Sequence, residues 1–163
     1  MFARSTAALI FTAAIGSGLV AGAFFAFSSF VMAALARIRP EQGIAAMQSI
    51  NVTVINPAFM LALFGTALLG VVLAIDAVTR WGQPGQAYVL AAGLLYVLGS
   101  AGVTMGFNVP LNDALAAVQD NSSDGATLWV RFLEDWTFWN HIRAAASTAA
   151  FALYIAAFAA QSG

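Results

Sequence analysis

The chain has 163 residues, of which 61% are hydrophobic and 8% charged, with six basic residues against seven acidic ones. A soluble domain carries about 25% charged side chains, so this chain cannot cover itself with polar surface, and part of its solvent is lipid. The balance, with arginine as the only strong base, gives no basic stripe for nucleic acid, and the absence of cysteine removes disulfides, thiol nucleophiles and thiolate metal sites.

The first uncharged run, Ser5 to Ala36, predicts a membrane span over about 6–35, since roughly 20 apolar residues cross a bilayer. The run is much longer than the ~7–15 residues of a signal peptide's apolar region. Its Gly16, Gly18 and Gly22 let helices approach closely, and its phenylalanines, Phe24, Phe25, Phe27 and Phe30, read as packing or lipid contacts. The connection from Arg37 to Pro57 holds a short amphipathic helix. Its end, "INPAF", has the form of a helix start, with Asn56 as N-cap and Pro57 at the first helical position.

A second span is predicted over 57–79, followed by the tight turn "TRWGQPGQ" and a third span over 87–108. In the third, Gly102 and Gly106 form a GxxxG pair, a candidate homo-oligomer face. Ser100, Thr104 and Asn108 recur every four residues on one face, and such a stripe in a membrane helix faces protein or a cavity rather than lipid. In "FNVPLNDAL", Pro110 is expected to end the helix and Asn112 to cap a short helix over 113–118.

The fourth span, 141–161, opens on "WTFWNHIR", which holds the only histidine. At about 100° per residue, Trp136, Asn140, Arg143, Ser147 and Tyr154 share one face, and His141 lies about 200° from Arg143. A non-helical turn near Trp139 would be needed to bring His141 and Arg143 together. Trp136 and Trp139 also suit an interfacial aromatic belt, and Arg143 could snorkel to the surface.

Four spans put both termini on one side of the membrane and both long connections on the other. Asn56, Asn108, Asn112, Asn140, His141 and Arg143 therefore gather at one mouth of the bundle, the usual picture of a ligand site. The count of arginines near span ends leans toward a cytoplasmic mouth.

The ordered motifs "NPAF", "FNVPLND" and "WTFWNHIR" resemble the anthrone oxygenase-like family of small four-helix membrane proteins, widespread in bacteria. The resemblance runs the length of the chain. It implies a single all-α domain over 1–163, a four-transmembrane-helix bundle with short amphipathic helices in the 1–2 and 3–4 connections, in a bacterial inner membrane. Characterised fungal members oxidise anthrones to anthraquinones with molecular oxygen and no dedicated cofactor. The expected partners are the bilayer and a hydrophobic aromatic molecule. The residues suit such chemistry. His141 or Asp113 is the candidate base, Arg143 with Asn108 or Asn140 the oxyanion donor, and Trp136 and Trp139 the walls of an aromatic slot. Asn56 and Asn112 complete the candidate contacts. One histidine and scattered acids make no metal set, and a haem on His141 fits so small a bundle poorly. A non-enzymatic binding, scaffold or transport-associated protein is the other class. Transport is the weaker form of it, because no internal repeat is visible.

Overall fold

The computed structural model describes residues 2–162, with side chains over 6–161. Four helices are long and apolar enough to cross a membrane: α1 (Thr6–Leu35), α3 (Pro57–Thr79), α4 (Gln86–Ala116) and α5 (Ser123–Gln161). A short helix, α2 (Pro40–Thr53), fills the first long connection. Each long helix packs on the two beside it, in the ring order α1–α3–α4–α5. The chain is an integral membrane protein built as an all-α four-helix bundle.

The expected first two spans coincide with α1 and α3. The last two helices are longer than expected. α4 does not stop at Pro110: a π-helical turn over Thr104–Asn108 runs straight into Val109–Ala116. Pro110 is the second residue of that last segment, where the hydrogen-bond register changes and a missing N–H is tolerated. The short helix expected over 113–118 is thus the continuation of α4. α5 likewise begins at Ser123, not 141. At 1.5 Å per residue its 39 residues extend about 58 Å, nearly twice the ~30 Å hydrocarbon thickness. Its charged first half, from Asp124 to Asp135, therefore stands outside the lipid.

Two cores follow from this. The membrane core is small and aromatic, with Ala13, Ala14, Ala92, Ala150 and Ala157 packed around Tyr96 and Tyr154. α3 and α4 nearly touch, since a Cβ on Gly93 would lie 2.7 Å from the Gly70 carbonyl oxygen. The second core is a cap outside the membrane, made of Met32, Ile44, Met47, Leu115, Trp129, Phe132 and Trp136. Here α2 lies across the extended ends of α4 and α5. Gln48 Nε2 donates to the Leu115 and Val118 carbonyls at 2.8 and 3.1 Å and so satisfies the end of α4.

Three of the four spanning helices carry π-helical turns: Phe27–Val31 in α1, Leu61–Gly65 in α3, and Leu95–Gly102 with Thr104–Asn108 in α4. Such turns shift which side chains face inward and free local carbonyls for other donors. Three of the four lie in the half of the bundle nearest the cap.

Candidate functional site

The polar cluster grows from the inner face of α5. Because the helix runs unbroken through Trp139 to His141, its residues keep the α-helical spacing. Trp136, Asn140, Arg143, Ser147 and Tyr154 are all buried. The α4 stripe meets them. Ser147 Oγ lies 2.9 Å from Ser100 Oγ, Arg143 Nη1 donates to Thr104 Oγ1 at 3.3 Å, and Asn108 Nδ2 donates to the Trp136 carbonyl at 3.2 Å.

Arg143 is the centre. It is 4% exposed, so it does not snorkel. Its Nη2 donates to Asn140 Oδ1 at 2.7 Å. The guanidinium carbon lies 4.1 Å from the centroid of the Phe24 ring and 5.0 Å from that of Trp136. Asn140 in turn donates from Nδ2 to the Phe24 carbonyl and to Ser28 Oγ, both at 2.8 Å. Trp136 is held by its indole N–H, which donates to Asn112 Oδ1 at 2.8 Å. Every partner of Arg143 so far is neutral. Among the described residues the ion pairs are Arg39–Glu41 and Arg80–Asp76, and neither involves Arg143. Burying a cation is unfavourable unless it is compensated. Hydrogen bonds to a charged group and a desolvated cation–π contact each contribute about 2 kcal/mol. These are dipole and quadrupole terms, however, and they leave the net positive charge in place. Three atoms of the cluster also remain without partners: Arg143 Nε, a donor, Asn108 Oδ1, an acceptor, and the Tyr154 hydroxyl.

The other sequence candidates lie elsewhere. His141 is exposed, on the face of α5 that leaves the bundle. The turn that would bring it to Arg143 does not form, and the two residues diverge as helical geometry requires. Asp113 is exposed on α4, beside the half-buried Asn112. Asn56 is exposed and acts as the N-cap of α3, accepting from the Phe59 backbone N–H at 3.0 Å. Trp139 stacks on Phe107, with ring centroids 3.6 Å apart, on the outer side of the α4–α5 seam. Asn108, Asn112, Trp136, Asn140 and Arg143 are thus brought together, while Asn56, Asp113, Trp139 and His141 are not. Among the described residues no three histidine, aspartate or glutamate side chains gather as a metal-ligand set.

Nothing in the sequence marks two members of the cluster, both from α1. Phe24 sits in a run of phenylalanines, and Ser28 in an apolar helix where a serine can bond its own backbone. Only the pairing of α1 with α5 gives them a role.

A sequence model of the family described as anthrone oxygenase matches residues 47–153. The match takes in α3, α4, most of α5 and every member of the cluster except Phe24, Ser28 and Tyr154. No curated protein and no solved structure matches the chain.

Proposed function

The chain belongs to the anthrone oxygenase family, and on that premise we propose that it oxidises a lipophilic, weakly acidic aromatic of the anthrone type with molecular oxygen at Arg143, in a bacterial inner membrane. The observation that carries this reading is the buried guanidinium with no carboxylate beside it and an Nε–H without a partner.

An anthrone has an acidic CH2 opposite its carbonyl. Loss of one proton places negative charge on the carbonyl oxygen. A fixed cation in a low-dielectric interior favours that anion strongly, and Phe24 and Trp136, which the guanidinium now faces, would have to part to admit its rings. The anion passes one electron to oxygen, and recombination forms a carbon–oxygen bond and a peroxide anion. The proton lost first returns to the peroxide. Loss of the second CH proton with cleavage of the O–O bond then gives the new carbonyl and water. The sum is CH2 plus O2 giving C=O plus H2O. No proton is consumed overall, and in this reading the first CH proton is lost in the substrate's own ionisation and the second passes to the departing hydroxide, which becomes the water. This fits the outward placement of His141. Asn140 and Thr104 hold the guanidinium plane, and Asn112 holds Trp136 against it.

Oxygen uptake with anthrone in liposomes tests the reading. Arg143→Ala is expected to lower the rate over background by about 100-fold or more, the scale of losing an oxyanion donor. His141→Ala is expected to stay near wild type. Wild-type uptake no faster than the uncatalysed reaction across several anthrones would leave a non-enzymatic binding protein.

A further inference from the structure

We propose that the ligand reaches Arg143 sideways from the bilayer, through the seam between α3 and α4 at the cap end of the bundle, with Met60 and Met105 at its edges. The proposal rests on the reading of the Arg143 cluster as a ligand site.

The water side is closed above Arg143. The seven residues of the cap core are each 5% exposed or less. A Cβ on Gly43 would lie 2.7 Å from the Trp129 ring, so α2 has no slack against α5. Trp136 belongs both to this core and to the cluster below it. A fused-ring molecule entering from water would have to take the cap apart.

Three of the four seams between helices are also closed at this level. Asn140 joins α5 to α1 through the Phe24 carbonyl and Ser28. Asn108, Arg143 and the Phe107–Trp139 stack join α4 to α5. Phe24 and Phe59 meet edge to face, ring centroids 6.4 Å apart, between α1 and α3.

The α3–α4 seam differs. It is tight toward the other membrane face, where Gly70 and Gly93 meet. Its last link toward the cap is Tyr96, whose hydroxyl lies 3.4 and 3.3 Å from the Ala62 and Leu63 carbonyls. Beyond it, among the described residues, no hydrogen bond or ring contact joins Pro57–Met60 to the end of α4, and the two segments are not closely packed. α3 contributes no side chain to the cap core. Among the described residues its first turn, Pro57–Met60, is thus joined by a ring contact to α1, through Phe59 and Phe24, and by none to α4.

The edges suit passage. Phe107 turns toward α5, so Met105, two residues earlier on the π-helical turn, lies on the far side of the helix from that contact, toward α3, and is 55% exposed. Met60, one residue past Phe59, turns about 100° away from the contact with α1. Both are unbranched, flexible side chains that adapt to a moving guest. Apolar molecules also concentrate in lipid rather than water, so the open seam faces the phase that holds the ligand.

Two experiments separate this proposal from the function itself. The chain has no cysteine, so introduced thiols report cleanly. In liposomes, Thr104→Cys should react with lipid-soluble N-phenylmaleimide. It should resist a charged sulfonatoethyl thiosulfonate, each rate being normalised to the exposed Ser123→Cys. Equal normalised access for the charged reagent, or no reaction with the lipid-soluble one, overturns the route. In the second, Met60→Cys/Met105→Cys is bridged with a short bis-maleimide. Uptake of anthraquinone from phosphatidylcholine vesicles is then followed by tryptophan quenching. Bridging should slow association about tenfold or more, while the single variants capped with N-ethylmaleimide stay near wild type. Unchanged association in the bridged protein overturns the route. Labelling of Thr104→Cys from lipid, together with a wild-type protein that takes up no anthraquinone, would keep the route and remove the functional reading.

Discussion

Arg143 illustrates how a single side chain is set by its neighbours. Its fork is divided between Asn140 and Thr104, which a lysine cannot reproduce because it lacks a planar pair of donors. Arg143→Lys is expected to lose one of the two hydrogen bonds, about 0.6–1.7 kcal/mol inside a membrane bundle, and to weaken anthraquinone binding. Thermal unfolding in detergent and the quenching titration measure the two effects. Thr104→Asp distinguishes a structural arginine from a ligand-binding one. A carboxylate at Thr104, whose Oγ1 lies 3.3 Å from Nη1, would neutralise the guanidinium. Stability should hold or rise, because a buried cation gains a partner, while oxygen uptake with anthrone should fall to background. Retained uptake would show that the net charge of Arg143 is not what the chemistry uses.

At the scale of the helix, the interior tolerates no added volume at some glycines and much at others. Gly93→Leu drives a side chain into the Gly70 carbonyl, 2.7 Å from its Cβ. It should destabilise by about 1–3 kcal/mol or more, the range of overpacking, seen as a lowered unfolding temperature. Gly106→Ala is the control, since nothing lies within 4 Å of its Cβ. It should be neutral or stabilising by up to about 1 kcal/mol from helix propensity. Gly102 and Gly106, expected from sequence as a helix-packing pair, face outward in the monomer. Gln48→Ala tests the cap. It removes two donors to the end of α4, at 2.8 and 3.1 Å, and should destabilise by about 1–3 kcal/mol at roughly 0.5–1.5 per hydrogen bond.

For the whole molecule, four spans place the turn at Gln83 and the cap at Ser123 on opposite sides of the membrane. Membrane-impermeant labelling of Gln83→Cys and Ser123→Cys in sealed vesicles should reach one and not the other. Labelling of both from the same side would remove one span. The same arrangement sets the chemistry. The cluster lies below the cap and within reach of lipid, so a ligand there meets a fixed cation with little water to screen it.

The spans α1 and α3, the buried face of α5 and the α4 stripe were legible in the sequence. Each is a local property of one helix: an uncharged run of fixed length, or a polar repeat at helical spacing. The same spacing already set His141 against Arg143, and the unbroken α5 kept them apart. What the sequence could not supply depends on contacts between helices. Pro110 reads as a stop, yet a π-helical turn carries α4 past it. "WTFWNHIR" reads as a beginning, yet α5 starts eighteen residues earlier than the 141 expected, at Ser123, because the cap core stabilises a length that lipid does not require. Asn56 and Asn140 are the same residue type, and in the sequence each reads as standing just before a span. One caps its own helix, and the other reaches across to Phe24 and Ser28. Tertiary packing decides which, because a side-chain amide bonds whatever backbone or hydroxyl the neighbouring helix presents, and sequence spacing carries no information about that neighbour.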